Sequence, residues 1–196
     1  QVVSSDDQFC YIAYQASDQK KEPISYQVRD GKLTIQENSN DGKSYYHVDI
    51  GFLSGFFGGN FLTTDENVVT LYVPEGQKWK TANIKSDLGN VLLNDCKIKK
   101  GNVQTDSGDI FFKNCDFDDL KVNTDMGNLC FIGKEAVMCA WNVQIDTDMG
   151  NINADDALSG KVVEEEEDGD ISYTQKGKGG NLVIRTDSGD VSLKCR

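Results

Sequence analysis

The sequence predicts an all-β fold, a single β-solenoid, and three observations carry that reading. A six-residue phrase, Ser/Thr-Asp-x-Gly-Asn/Asp-apolar, recurs at nearly constant spacing through the second half of the chain. Apolar residues alternate with polar ones on both sides of each copy, the period of a half-buried strand. No segment carries the 3.6-residue period of a helix of useful length. The copies occupy residues 86–91, 105–110, 124–129, 147–152 and 186–191, and a degenerate one at 167–171 fills the single gap. Their glycines, Gly89, Gly108, Gly127, Gly150, Gly169 and Gly189, lie 19, 19, 23, 19 and 20 residues apart. A period near 20 marks a solenoid whose units bury their apolar side only against one another.

In chain order, strands are expected first at 9–14, 24–28, 32–35, 45–50 and 68–73, with Asp30-Gly31 as a hairpin turn between the second and third. Val73-Pro74-Glu75-Gly76 breaks the last of them. Residues 1–73 therefore read as an irregular β segment capping the end of the solenoid, whose parallel edge would otherwise stay open. Residues 74–196 read as regular coils of about 19–20 residues within one continuous structural domain.

Within a repeat, Ile84, Val103, Val122, Ile145 and Ile184 stand five positions before the glycine. Val91, Ile110, Leu129, Ile152, Ile171 and Val191 stand two after it, so each copy reads strand, tight turn, strand. Asp supplies side-chain oxygen to turn amides, and Gly takes a positive φ that a β-branched residue cannot. Such a coil is too short for a βαβ crossover, so successive coils are expected to stack in parallel about 4.8 Å apart, in sequence order and with right-handed winding. The apolar residues after the glycines then form one buried column, and the Ser/Thr hydroxyls another. The 23-residue interval holds residues 133–141, read as a bulge on one corner, a place where repeat proteins often bind. The acidic run at 162–168, standing where Thr-Asp should be, reads as an exposed turn.

Composition narrows the function. With 20 basic and 32 acidic residues the net charge is −12, which repels nucleic acid and anionic lipid and favours cationic partners. No apolar run reaches the length of a membrane span, and no signal-peptide pattern opens the chain; a start at Gln1 rather than Met suggests that an export signal or anchor was trimmed. Of the six cysteines, Cys96 and Cys115 each lie seven residues after a corner glycine, in the same slot of adjacent coils. Their Cβ vectors run parallel there, which suits buried free thiols better than a bridge. No Cys-x-x-Cys pair suggests zinc.

Candidate sites are few. Residues 51–62 interleave four phenylalanines and two leucines with four glycines. This segment is expected either to plug the end of the solenoid or to touch a partner, with Phe52, Phe56, Phe57 and Phe61 as contacts. Trp141, at the insertion, is the fifth candidate contact. Two acidic rows are expected, Asp87, Asp106, Asp125 and Asp148 in one, and Asn90, Asp109, Asn128, Asn151, Asp170 and Asp190 in the other. Turn chemistry explains both rows, with a hard cation as the alternative. The single histidine, His47, stands without a Gly-x-Ser-x-Gly, His-Glu-x-x-His or P-loop pattern, so no catalytic residue, cofactor or metal is assigned.

The Val73-Pro74-Glu75-Gly76 break followed by Thr-Asp-Ser-Gly-Asp-Ile phrases at a period near 19 resembles the bacterial putative-adhesin family, a domain of unknown function built on β-solenoid repeats. The resemblance covers about residues 24–196. It implies display outside the cytoplasmic membrane, often behind an anchor, at the cell surface, with some relatives tied to envelope-stress and antimicrobial-peptide response. The expected function is thus a non-enzymatic, extracytoplasmic binding or structural module facing an unidentified protein, peptide or glycan. The alternatives are capture of cationic peptides on the acidic faces and, in a different class, polysaccharide hydrolysis by paired carboxylates in a groove.

Overall fold

Alternation along each repeat places every second side chain in one apolar interior, walled by two sheets. The computed structural model describes residues 1–6, 10–14, 24–37, 46–52, 60–63, 69–165 and 169–196. Before the repeats come β1 (Val2–Ser5), β2 (Tyr11–Tyr14), β3 (Ile24–Arg29), β4 (Lys32–Glu37), β5 (Tyr46–Phe52), β6 (Asn60–Thr63) and β7 (Thr70–Pro74). Three coils follow: β8 (Lys78–Leu88) with β9 (Val91–Asn94), β10 (Lys97–Ser107) with β11 (Ile110–Lys113), and β12 (Asp116–Met126) with β13 (Leu129–Gly133). Then come α1 (Glu135–Met138), β14 (Asn142–Met149), β15 (Ile152–Ala154), β16 (Lys161–Glu164), β17 (Ile171–Gln175), β18 (Asn181–Ser188) and β19 (Val191–Cys195). The fold is all-β, and the described residues form two separate sheets of nine and ten strands.

Each coil places a longer strand in the ten-stranded sheet and a short one in the nine-stranded sheet, joined by the glycine corner. Parallel register is strict: Val103 lies between Ile84 and Val122, and Ile110 between Val91 and Leu129. Layers repeat inside, and the rings of Phe112 and Phe131 stack with centroids 4.6 Å apart and planes 7° from parallel. Ahead of the coils, β5 pairs antiparallel with β8 and continues through β4 to β3, with Asp30 and Gly31 both at positive φ in the β3–β4 turn. In the other sheet β1 lies between β7 and β9.

The coils do not stack in sequence order, which corrects the expectation above. The last coil, β18 with β19, inserts between the third coil and β14 with β15. Parallel pairs join β12 to β18 and β18 to β14, β13 to β19 and β19 to β15. The buried column therefore runs Val91, Ile110, Leu129, Val191, Ile152. Ile171 is not in it: β17 pairs antiparallel with both β14 and β16, so Gly169, Asp170 and Ile171 of the degenerate phrase lead into an antiparallel strand instead of turning a corner. Asp170 leaves the Asn/Asp row for the same reason, and its carbonyl accepts the Glu165 N–H at 2.9 Å. The expected bulge at 133–141 holds α1, where the chain leaves the stack.

Glycines allow the return. The segment entering β18 runs so close to its neighbours that a Cβ on Gly177 would meet Ala140 O at 2.1 Å, and one on Gly180 would meet Phe117 O at 1.8 Å. Gln175, buried, closes the excursion by donating from Nε2 to Met138 O (2.9 Å) and Trp141 O (3.1 Å), and its Oε1 accepts the Tyr173 hydroxyl at 3.0 Å.

Candidate functional site

The corner phrase does two jobs, one inward and one outward. Inward, Thr105, Thr124, Thr186 and Thr147 with Ser86 form a buried polar column. Thr105 Oγ1 donates to Thr124 Oγ1 at 2.9 Å and Ser86 Oγ to Leu88 O at 3.1 Å, while the hydroxyls of Thr147 and Thr186 have no partner among the described residues. Backbone bonds lock corner to corner: Gly108 N–H to Met126 O, Ile110 N–H to Asn128 O, Gly127 N–H to Ser188 O and Val191 N–H to Asn151 O, all between 2.8 and 3.0 Å.

Outward, the residue after each glycine forms a continuous hydrogen-bonded row. Asp109 N–H donates to Asn90 Oδ1 (2.8 Å), Asn128 N–H to Asp109 Oδ1 (2.8 Å), Asp190 N–H to Asn128 Oδ1 (3.0 Å) and Asn151 N–H to Asp190 Oδ1 (2.8 Å). The side-chain amides of Asn128 and Asn151 add donors to the same two carboxylates. In space the row reads Asn, Asp, Asn, Asp, Asn. Two carboxylates one coil apart would repel by about 1 kcal/mol in water, and two coils apart by about half that. Sequence order would have set Asn151 beside Asn128; the inserted coil makes the alternation complete.

The residue before each glycine alternates in step: Leu88, Ser107, Met126, Ser188, Met149. Leu88, Met126 and Met149 are 67%, 59% and 67% exposed, large values for apolar side chains on a regular corner. Strand spacing puts them about 9.6 Å apart, with a serine between each pair. Beside them run Asp87, Asp106, Asp125, Asp187 and Asp148, all solvent-facing or partly so. The result is one edge of the stack carrying apolar knobs at every second coil along an acidic row.

The other candidates fall differently. Trp141 is only 3% exposed; its ring packs against Phe117 at 4.4 Å and edge-on to Phe131 at 6.4 Å, so it is a core residue and not a surface contact. Phe52 and Phe61 lie in β5 and β6, while Phe56 and Phe57 fall outside the described residues. His47 Nε2 lies 3.3 Å from Asp49 Oδ2, an oxygen that also meets Lys32 Nζ at 2.6 Å. Burial alone would raise the Asp49 carboxyl, but donation from Lys32, Thr34 and His47 outweighs it and holds the group below the usual range. This is a cross-strand polar cluster between β4 and β5.

All six cysteines are free thiols. Burial pushes Cys10 up to about 11, and hydrogen bonding to Cys115, then burial, raises Cys96. Burial also raises Cys130 and Cys195. Such thiols stay protonated at neutral pH and are poor nucleophiles. Among the described residues, no group of three or more His, Cys, Asp or Glu is placed to hold a metal, and no helix is long and apolar enough to cross a membrane.

A stack of glycine-cornered coils with this phrase is matched by a family model, Toastrack DUF4097, over residues 2–196. The chain belongs to the Toastrack DUF4097 family. Among proteins with curated descriptions none matches it. One solved structure, described as "a putative cell adhesion protein from Clostridium sporogenes", is similar at 14% identity over 95% of this chain and 89% of that one, with a TM-score of 0.39. A likeness that low carries no argument about this Toastrack chain. The corner row is half legible in the sequence: the Asp and Asn positions recur from copy to copy, whereas Leu88, Met126 and Met149 stand at the variable position of the phrase, which Ser107 and Ser188 also occupy.

Proposed function

We propose that this Toastrack domain is a non-enzymatic, extracytoplasmic binding module of the bacterial envelope, and that its corner edge captures cationic amphipathic peptides. The observation that carries this reading is the pairing of apolar knobs Leu88, Met126 and Met149 with the acidic row beside them. A peptide presenting Lys or Arg next to apolar side chains finds both complements on one edge, and the net charge of −12 steers it there. Methionines suit such a surface because their flexible thioethers adapt to varied partners. Raised thiols and a histidine tied to Asp49 support a module without chemistry of its own. In this reading the coils wind right-handed, residues 1–73 cap residues 74–196, and Phe52, Phe56, Phe57 and Phe61 form a further contact for a cell-surface partner.

Fluorescence anisotropy with a labelled cationic amphipathic peptide tests it. Binding is expected to weaken steeply with added salt and to drop in a Met126→Ser/Met149→Ser variant whose melting temperature is unchanged. Equal binding of an acidic peptide of the same apolar content, or indifference to salt, would overturn the reading.

A further inference from the structure

Among the described residues the ten-stranded sheet ends at β16, whose one partner there is β17. All four of its residues are exposed, Val162 and Val163 at 44% each, and Glu165 beyond it is exposed too. Because Glu165 N–H donates inward to Asp170 O, backbone alternation turns the polar groups of Lys161, Val163 and Glu165 toward β17. Those of Val162 and Glu164 then point outward past the last strand. Edges are usually guarded by charge, since an open ladder recruits another chain. This one carries a lysine at one end, two glutamates at the other and two valines between.

We infer that β16 is a self-association edge at which two copies of this chain pair antiparallel about a two-fold axis through Val163. The register follows from symmetry and charge together. A two-fold axis perpendicular to the sheet must pass through a residue facing its own copy, so only a few registers exist. Centring on Val163 sets Val163 against Val163, and Lys161 against Glu165 of the second copy in both directions. Val162 and Glu164 then exchange backbone bonds across the seam. Centring on Val162 leaves Lys161 opposite a valine, and centring on Glu164 sets two glutamates face to face. The Val163 register also sets Glu164 and Glu165 of the two copies at opposite ends of the seam. The seam is short, so it belongs to the weak, transient class of interface, strengthened where many copies are displayed together.

Sedimentation of the full chain, followed by a charge-swap series, tests this. Reversible dimerisation is expected as the concentration rises toward about 1 mM, the weak end of the affinity scale. Lys161→Glu and Glu165→Lys should each weaken it about tenfold, because each places like charges opposite one another twice. The double variant should restore it, with melting temperatures unchanged throughout. Oxidative cross-linking fixes the register: Val163→Cys should give a covalent dimer and Val162→Cys none, against the baseline of the unsubstituted chain. A monomer throughout that range, failure of the double swap to rescue, or loss of dimer with Val28→Lys on the opposite edge strand β3 but not with Lys161→Glu, would overturn the proposal.

Discussion

Gly127 shows how much one atom matters in this stack. Its φ is +144°, and a Cβ there would lie 2.2 Å from Gly108 O, the backbone of the next corner, which has nowhere to move. Gly89 occupies the same place at the end of the row with φ of +121°, but its Cβ would meet nothing nearer than Ser86 Oγ at 3.9 Å. The two positions share a conformational demand and differ in the clash. Gly89→Ala should therefore cost about 1–2 kcal/mol, the strain of an L side chain at that φ. Gly127→Ala should cost more than about 3 kcal/mol, because a backbone contact must also open. Urea unfolding of the two variants measures the difference, and equal losses would mean that the corners are not in van der Waals contact.

At the scale of strands and corners, the sequence was most legible where local chemistry decides. The strands at 24–28 and 32–35 around Asp30-Gly31 are β3 and β4, because the turn residues fix their pairing locally. Likewise Val73-Pro74 ends β7, since proline removes a ladder donor. Stacking order was illegible because equivalent corners carry equivalent residues: Ile152, Val191 and Leu129 fit any layer. The parity of the phrase did hold a clue. Thr-Asp-Met-Gly-Asn at 124–128 and again at 147–151 gives two like copies in succession, whereas hydrogen bonding favours an Asp copy between Asn copies. Asn128→Asp tests that preference, since it sets three carboxylates at 109, 128 and 190 in contact and removes the Asn128 Nδ2 donation to Asp109. Destabilisation of about 1–2 kcal/mol is expected at neutral pH. The sign with pH follows from charge: the added repulsion exists only while the carboxylates are ionised, so the deficit is full above the carboxylate range and shrinks as pH falls through it. Thermal melts from pH 7 down to about 3.5 read this directly, and a deficit that persists in acid would assign the loss to packing.

For the whole molecule, the inserted coil makes the fold non-sequential. The third coil, 116–133, finds its parallel neighbour in 181–195, and in the excursion between them β14 and β15 take their parallel pairs from that last coil, while Trp141 packs on Phe117 and Phe131 of the third. Loop closure must therefore be completed before β14 and β15 gain their parallel pairs, which places them late in folding. In a stack that followed the chain, removing the last coil would trim one end and leave the rest in place. Here, deleting residues 177–196 removes the layer between β12 and β14, strands that have no pairing with each other. The variant is expected to keep slow amide exchange across β8 to β13, whose coils still pair among themselves, and to lose it across β14 and β15. Hydrogen-exchange mass spectrometry distinguishes the two architectures, because retained protection at 142–154 would place that segment directly on the third coil and undo the insertion. The same layer supplies Ser188 and Asp190 to the corner edge, so the truncated chain should also lose Met149 from the row and bind a cationic amphipathic peptide more weakly than the full chain.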